Sequence, residues 1–316
     1  MTEKKRIGVL VMSYGTPESM EAIEAYYTHI RHGHPPTAEQ LQELKDRYAA
    51  IVGGVFPLRE HTNKQVEALQ QALDARGGDV EYVCFQGLKH ARPFIEDGVR
   101  QMAEAGIKEA VGIVLAPHYS VMSVGTYIKR AEQVAAELGV SFRFERSYYA
   151  RPELIEAFAE RVQEALGKFE GGADQIRVLF SAHSLPEKIL ELGDPYVDQL
   201  LATSKLIAEK VGLPEWHFVW QSAGRTADPW LGPDILDVMR NLQREGVKQI
   251  LSCPIGFVSD HLEILYDLDI EAKQLAAELG IHFERIRSLN QDPKYIGLLS
   301  NIVVELTDKA PGQYDA

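Results

Sequence analysis

Eight short apolar runs alternate with longer amphipathic segments along the chain. Several runs are continuously apolar and rich in Val, Ile and Leu, which is typical of parallel strands covered on both faces. The runs lie at 6–14, 80–87, 109–117, 140–149, 175–182, 215–222, 248–255 and 281–288. Intervening segments such as 124–139 and 196–212 show helical spacing and end in glycine, as helix C-termini often do. The pattern predicts an α/β fold with parallel sheets.

The chain also has the pattern of two similar halves. Three strand ends of the first half resemble three strand ends of the second half. The corresponding pairs are 13–17 and 181–186, 86–90 and 221–226, and 116–120 and 253–257. The polar, glycine-containing stretch 164–174 is the expected linker. We therefore predict an N-terminal half over residues 1–165 and a C-terminal half over 175–316, with the last helix able to pack back on the N-terminal half. Ligands of open α/β sheets bind outside the carboxyl ends of strands, so we expect a cleft lined by these six ends.

Composition excludes several functional classes. A net charge of −13 argues against nucleic acid as the main partner, although a local basic pocket remains compatible with an anionic ligand. No signal peptide and no apolar window long enough for a membrane span is visible. Two cysteines, Cys84 and Cys253, predict a reducing cytoplasm and no cysteine-held cluster or zinc site. The motifs of dinucleotide, P-loop, nucleophile-elbow and zincin sites are all absent.

The stretch FSAHSLPEK (180–188) places His183 at a strand end between two serines. One interpretation is a turn histidine that satisfies a local backbone group. The other is a general base or metal ligand, since neutral imidazole titrates near neutral pH and binds metals readily. This segment alone favours the turn histidine.

Four carboxylates, Asp260, Glu263, Asp267 and Glu271, follow helical spacing within 256–280. Asp260 and Glu263 fit a capping box, with the rest forming a solvated acidic face. Stacked like charges are unfavourable on a helix, however, and a carboxylate column also suits a divalent cation passing along it. The spacing alone does not decide between these interpretations.

Tyr14 ends the first strand, and its side chain either packs in the core or points into the expected cleft. Arg31 and Arg47 lie among aromatic residues, and each is either an ordinary surface charge or a bidentate carboxylate binder. Lys89 and His90, at the second strand end, are better placed for the cleft.

These motifs together resemble the ferrochelatase family over nearly the whole chain. The resemblance rests on LVMSYGTP, LAPHYSVMSVGTY, SAHSLPEK, QSAGRTADPWLGP and GFVSDHLEILYDLDIEAK, which are specific in combination. The chain is most similar to the soluble bacterial branch that acts on coproporphyrin III. Tyr14, the lack of an apolar membrane-docking segment and the lack of a C-terminal cysteine cluster all favour that branch.

The resemblance implies two Rossmann-like halves, each with a parallel sheet flanked by helices, and a porphyrin cleft between them. It implies insertion of Fe²⁺ into coproporphyrin III to give coprohaem in haem synthesis. It assigns His183 and Glu263 as the catalytic and metal-handling pair, Tyr14 as axial to the product iron, and Asp267 and Glu271 as an outer cation site. The implied porphyrin contacts are Tyr14, Arg31, Arg47, Tyr48, Lys89, His90 and Tyr127.

The chain departs from the family pattern at two places. His32 and His34 stand where the resemblance predicts arginines, so the grip on propionates is expected to weaken above neutral pH. Phe56 stands near Pro57 where a serine is expected, so this side chain is not expected to make the polar propionate contact of the family pattern.

Two alternatives differ in class. One is another tetrapyrrole chelatase, which inserts iron or cobalt into protoporphyrin IX or sirohydrochlorin. The other is a non-catalytic haem or porphyrin carrier, which is expected to lose His183 or Glu263. For the chelatase we expect no tightly bound cofactor, no iron–sulfur cluster and no membrane span. We also expect a cytoplasmic monomer with transient contact to an iron donor or to the next enzyme of haem synthesis.

Overall fold

The computed structural model describes residues 4–51, 56–224 and 226–309, and the chain divides into two compact units. Unit 1 runs to Tyr148 and resumes at Asn290, whereas unit 2 comprises Tyr149–Leu289. The strands are β1 (Lys5–Ser13), β2 (Val80–Leu88), β3 (Glu109–Val114), β4 (Ser141–Phe144), β5 (Arg177–His183), β6 (Trp216–Gln221), β7 (Gln249–Cys253) and β8 (His282–Arg285). All eight predicted apolar runs therefore form strands.

The helices flank these strands in sequence. They are α1 (Ile23–Ile30), α2 (Ala38–Ala50), α3 (Pro57–Asp74), α4 (Ile95–Glu104), α5 (Val124–Leu138), α6 (Pro152–Leu166), α7 (Lys188–Glu191), α8 (Tyr196–Val211), α9 (Ile235–Arg244), α10 (Leu262–Leu265), α11 (Lys273–Leu279) and α12 (Pro293–Thr307). A π-helical segment, Asp267–Ala272, lies between α10 and α11. Helices α5 and α8 end at Gly139 (φ 67°) and Gly212 (φ 76°), which confirms the glycine stop signals.

Each unit contains one four-stranded parallel sheet, and both sheets have the same strand order. Unit 1 has β2-β1-β3-β4, and unit 2 has β6-β5-β7-β8. The three pairs of strand ends predicted to correspond therefore occupy the same positions in their sheets. In both sheets the order reverses between the two central strands, β1 and β3 or β5 and β7, which is the place where open α/β sheets bind ligands.

The predicted strand 140–149 is longer than the observed β4. Only Ser141–Phe144 pair with β3. Beyond that point the Ser147 hydroxyl and the Tyr148 backbone N–H both donate to the Pro117 carbonyl, at 3.0 Å each, so the chain leaves the ladder and joins the loop after β3.

The predicted boundary between the halves, 165–175, differs from the division after Tyr148. Helix α6 packs against α8 and therefore belongs to unit 2, although it precedes the polar stretch that the sequence marks as a linker. Helix α12 packs against α3 and β3, which places the end of the chain in unit 1. Within the described residues, no helix has the length and apolar content needed to cross a membrane.

Candidate functional site

His183 is the last residue of β5 and is half-buried at the carboxyl edge of the unit 2 sheet. Its Nδ1 lies within hydrogen-bond distance of the Ser184 carbonyl, which can only accept. Nδ1 therefore carries the hydrogen, and in the neutral ring Nε2 presents its lone pair. The Tyr196 hydroxyl donates to the His183 carbonyl at 3.1 Å and fixes the backbone at this point. The side chain thus has the tautomer that a proton acceptor or a metal ligand needs.

The two serines beside His183 hold the strand end in place. Ser184 is fully buried, and its hydroxyl donates to the Leu231 carbonyl at 2.8 Å. Its backbone N–H donates to the Gln221 carbonyl at 2.8 Å, which extends the pairing of β5 with β6. The Ser181 hydroxyl donates to Gln221 Oε1 at 3.0 Å. Both hydroxyls are therefore engaged in structural bonds.

Gln221 connects His183 to Glu263. It is fully buried and pairs with His183 across the β5–β6 ladder. Its Nε2 donates to the Glu263 backbone carbonyl at 3.0 Å, while its Oε1 accepts from Ser181. One buried amide thus ties both strands to the start of α10.

The loop after β7 also lies close to the end of β5. The Gly256 N–H donates to the Ser181 carbonyl at 3.1 Å. A Cβ at Gly256 would lie 2.4 Å from the Cβ of Ala182, so only glycine allows this approach. The loop that leads to Glu263 is therefore packed against the residue preceding His183.

His261 is a further functional candidate that the sequence motifs do not single out. Its Nε2 lies 3.3 Å from Glu263 Oε2, and its Nδ1 lies 2.8 Å from the Ser259 carbonyl. The carbonyl assigns the hydrogen to Nδ1, so a proton between Nε2 and Oε2 is needed to make the His261–Glu263 contact a hydrogen bond. His261 can therefore share one proton with Glu263, the predicted metal-handling carboxylate. The sequence signal for this contact is the position of His261 two residues before Glu263 in SDHLE.

The predicted capping box at Asp260 is wrong. The helix cap is His261, without a side-chain cap bond. Asp260 instead accepts from the Ser288 hydroxyl at 2.7 Å and lies 3.3 Å from Arg285 Nη1. Its partners come from a segment about 25 residues further along the chain, which local spacing does not reveal.

The carboxylate column is not carried by an uninterrupted α-helix. The Glu271 N–H donates to the Tyr266 carbonyl at 2.9 Å, an i to i+5 bond that marks the π-helical segment. Asp267 is buried and accepts from the Ser222 hydroxyl, whereas Glu271 is exposed. Among the described residues, no group of three or more His, Cys, Asp or Glu side chains is arranged to hold a metal. The outer cation site at Asp267 and Glu271 stays a prediction.

Tyr14 follows β1 in unit 1 and is 39% exposed. Its ring lies 4.7 Å from that of His90, centroid to centroid. His90 Nδ1 lies 3.0 Å from His29 Nδ1, and the His29 ring stacks on Phe94 at 5.0 Å. One histidine must donate and the other accept. Contacts among the rings of His90, His29 and Phe94 therefore position Tyr14. His29 is not among the predicted site residues.

Lys89 and His90 both have lowered pKa values in this part of unit 1. Burial, together with the neighbouring Lys89, His29, Arg130 and His32 charges, lowers the pKa of His90 to about 3. Burial and the Arg130 charge lower the pKa of Lys89 to about 8. Lys89 Nζ lies 5.2 Å from the centre of the Tyr127 ring and donates to the Met122 carbonyl at 3.4 Å.

A groove of about 1060 Å³ lies between α1 and α5, with Lys89 and His90 among its lining residues. Arg130, on its wall, makes a bidentate pair with Glu96 at 2.7 Å for both bonds and donates to the Lys89 carbonyl at 2.7 Å. The guanidinium thus fixes the Lys89 backbone while its charge is compensated by Glu96.

The remaining predicted porphyrin contacts lie in different environments. Arg31 packs 5.8 Å from the centre of the Tyr27 ring and donates to the His34 carbonyl at 3.2 Å. Arg47, on α2, is half-buried. The two predicted tyrosines are both buried: the Tyr48 hydroxyl lies 3.2 Å from Thr16 Oγ1, and burial raises the pKa of Tyr127.

Phe56 packs its ring 5.0 Å from that of Tyr48. An apolar ring there contributes packing where the resemblance predicted a hydroxyl. His32 has a left-handed backbone (φ 55°) and is followed by Gly33 (φ 89°). His32 and His34, where the resemblance predicts arginines, therefore lie in the tight turn that follows α1.

Comparison with known proteins adds to this geometry. The family model described as Ferrochelatase matches residues 6–307. The chain is 48% identical over 306 residues to a coproporphyrin III ferrochelatase of Geobacillus sp. (strain WCH70), covering 96% of this chain and 98% of that protein. It is 46% identical over 305 residues to the coproporphyrin III ferrochelatase of Bacillus subtilis (strain 168), with coverage of 96% and 98%.

A solved structure of SirB from Bacillus subtilis with Fe³⁺ superimposes with a TM-score of 0.62 at 14% identity, covering 98% of this chain and 99% of that chain. A sirohydrochlorin chelatase SirB structure in complex with cobalt gives a TM-score of 0.59 at 13% identity, with coverage of 98% and 99%. At this level of identity the likeness concerns the fold alone.

Proposed function

The chain belongs to the ferrochelatase family, and from this premise we propose that it inserts Fe²⁺ into coproporphyrin III to give coprohaem. This substrate is supported by relatives that are named coproporphyrin III ferrochelatase. They are 45–48% identical to this chain over at least 95% of its length. The observation that carries the proposal is the arrangement at the unit 2 switch point. There His183, with its Nε2 lone pair available, is tied through Gln221 to Glu263.

Metal insertion requires the cation to lose water and two pyrrole N–H protons to leave the ring. We propose that His183 Nε2 and the Glu263 carboxylate share these tasks, because an imidazole and a carboxylate can each accept a proton or bind the incoming Fe²⁺. His261 lies within reach of Glu263 to take up a proton from it. Binding a bent macrocycle would favour the geometry of metallation over the flat ground state.

Tyr14 is proposed as the axial ligand of the product iron, since a phenolate is an established type of haem ligand. Its ring is held by His90, so its direction depends on the His29–His90 contact. Lys89 and His90 are proposed to contact the porphyrin together with Arg31, Arg47, Tyr48 and Tyr127. The cationic members suit the carboxylates of a propionate-rich tetrapyrrole.

Asp267 and Glu271 are proposed to pass cations toward Glu263. The exposed position of Glu271 supports a role in collecting them, and the bond from Ser222 fixes Asp267. We propose that no resident cofactor takes part. Two cysteines are too few for a four-thiolate cluster, and burial raises the pKa of Cys84 to about 12, which disfavours its thiolate.

We further propose that the chain acts as a cytoplasmic monomer that meets an iron donor or the next enzyme only transiently. Sedimentation of the purified protein with and without coproporphyrin III tests the monomer. A second chelatase function, on sirohydrochlorin, draws on the shared fold alone and is not favoured by any side chain described above.

The proposed function is tested by an anaerobic absorbance assay with Fe²⁺ and one tetrapyrrole at a time. We expect rapid metallation of coproporphyrin III and much slower metallation of protoporphyrin IX and sirohydrochlorin. Faster turnover of either of the other two would replace the proposed substrate. Binding of coproporphyrin III without any metallation would support the carrier alternative.

A further inference from the structure

Arg285 is a largely buried cation at the end of β8, with its side chain 14% exposed. Its Nε and Nη2 donate to the two carboxylate oxygens of Asp269 at 2.8 and 2.7 Å, which is a bidentate pair. Its Nη1 lies 3.3 Å from Asp260 Oδ1 and donates to the Ile286 carbonyl at 3.0 Å. One guanidinium thus binds two carboxylates at once.

The two carboxylates flank the predicted metal-handling residues. Asp260 lies in the turn directly before α10, and Asp269 lies inside the π-helical segment. His261, Glu263 and Asp267 fall between them in the sequence. Ser288 reinforces the arrangement, since its hydroxyl donates to Asp260 at 2.7 Å. Both ends of this segment are therefore tied to β8 and to the residues that follow it.

We propose that Arg285 is a positioning residue that fixes the 260–269 segment, and through it the carboxylate of Glu263, in the geometry used for metal insertion. The inference rests on the proposed function. Arg285 itself is placed against Asp260 and Asp269, so its effect passes through the backbone that carries Glu263.

The geometry requires arginine. A guanidinium presents a planar fork that matches one carboxylate with two bonds and still reaches a second acceptor. Lysine keeps the charge but is a single point donor on a flexible stem, so it cannot hold both carboxylates in fixed directions. Burial disfavours the charge on Arg285, yet Asp269 and Asp260 outweigh this and raise its pKa, so the cation is retained.

A π-helical segment is a locally altered hydrogen-bond pattern that needs tertiary support. Asp269 provides such support directly, because its carboxylate is held by β8 while its backbone belongs to the segment. When the Arg285 contacts are lost, we expect the segment to open more often and the direction of Glu263 to vary. Small misplacements of a catalytic group reduce the rate strongly without affecting substrate binding elsewhere.

The test compares Arg285→Lys with Arg287→Lys. Arg287 makes a bidentate pair with Glu164 of α6, and its side chain is 61% exposed, so it is a matched control for loss of a guanidinium fork. For each variant, kcat, the KM for Fe²⁺ and the Kd for coproporphyrin III are measured at a temperature where circular dichroism shows full folding. Hydrogen–deuterium exchange of peptides spanning 258–270 is measured in parallel. Asp269→Asn provides a second variant should Arg285→Lys not fold.

We expect Arg285→Lys and Asp269→Asn to exchange faster in 258–270 and to lose at least about tenfold in kcat, with the coproporphyrin Kd unchanged. Arg287→Lys should match the wild type in both. A folded Arg285→Lys protein with wild-type kcat overturns the proposal, as does a kcat loss no larger than that of Arg287→Lys. If the wild type does not metallate coproporphyrin III, it is the proposed function that fails. The exchange data then test the positioning role by themselves, and unchanged exchange in both Arg285→Lys and Asp269→Asn rejects it.

Discussion

The side-chain amide of Gln221 donates to the backbone carbonyl of Glu263 at 3.0 Å, while its oxygen accepts from Ser181. Gln221 also lies opposite His183 in the sheet. The strand carrying the histidine and the helix carrying the carboxylate are therefore joined through one buried side chain. We therefore expect the relative positions of His183 and Glu263 to depend on Gln221.

Replacing Gln221 with Ala should impair both stability and catalysis. The buried Ser181 hydroxyl and the Glu263 carbonyl lose their partner, which costs about 1–3 kcal/mol in the free energy of unfolding. Misplacement of Glu263 should lower kcat by up to about a hundredfold. Gln249→Ala is the control, since Gln249 also donates to a backbone carbonyl, that of Glu170, away from the site. Urea denaturation and single-turnover metallation measure the two effects, and equal kcat values for both variants would contradict the role of Gln221.

Coproporphyrin binding should weaken as the pH rises above about 8. Because the pKa of Lys89 is lowered to about 8, its ammonium is lost in this range and can no longer attract a carboxylate. We expect up to about a tenfold increase in Kd between pH 7 and pH 9, measured by porphyrin fluorescence. Lys89→Arg keeps the charge and should remove this step, whereas Lys129→Met, at an exposed groove position, should keep it. If the Kd of Lys89→Arg still rises between pH 7 and pH 9, the pH dependence belongs to another group.

His90 should make the protein less stable in acid. Its folded-state pKa of about 3 lies below its unfolded value of about 6.5, so the unfolded chain takes up the proton first as the pH falls. The free energy of unfolding therefore falls between about pH 6.5 and pH 3. Protonation of His90 in the unfolded chain accounts for about 2 kcal/mol of this decrease between pH 7 and pH 5. Urea denaturation at pH 7 and pH 5 measures this decrease, and His90→Gln should remove most of the part that His90 contributes. His34→Gln, at an exposed position, is the control, and an unchanged pH dependence in His90→Gln would contradict this assignment.

Glu271→Gln should raise the apparent KM for Fe²⁺ severalfold and leave coproporphyrin binding unchanged. The exposed carboxylate would attract the hydrated cation, and the amide would not. Glu278→Gln is the control, because Glu278 is also exposed on the following helix and accepts a bond from Gln274. Initial rates across Fe²⁺ concentrations measure the difference. An unchanged metal dependence in Glu271→Gln would favour the solvated-face interpretation of the column.

Features set by local sequence could be predicted. The apolar runs formed strands because continuous Val, Ile and Leu suit a sheet covered on both faces, and Gly139 and Gly212 ended helices because they adopt a left-handed backbone. The placement of His183 at the end of β5 follows from the same pattern.

Features that depend on distant partners could not be predicted. Asp260 pairs with Arg285 and Ser288 instead of capping its own helix, and spacing within 256–280 contains no trace of those partners. The π-helical segment likewise has a distant partner, because Asp269 inside it binds Arg285 of β8. The His261–Glu263 contact is local, but the spacing of the carboxylates does not report it. The division of the chain after Tyr148 reflects which helices pack together, which the polar composition of 164–174 does not report.

His183 is proposed to perform metal insertion while its neighbouring serines hold the turn. The most direct measurement is the rate of Fe²⁺ insertion into coproporphyrin III by His183→Ala and Ser184→Ala, with porphyrin binding followed by fluorescence. Ser184→Ala should lose about 1–3 kcal/mol of stability and keep its kcat when folded. His183→Ala should bind coproporphyrin III normally and insert no measurable iron, whereas near-normal turnover by that variant would contradict the account.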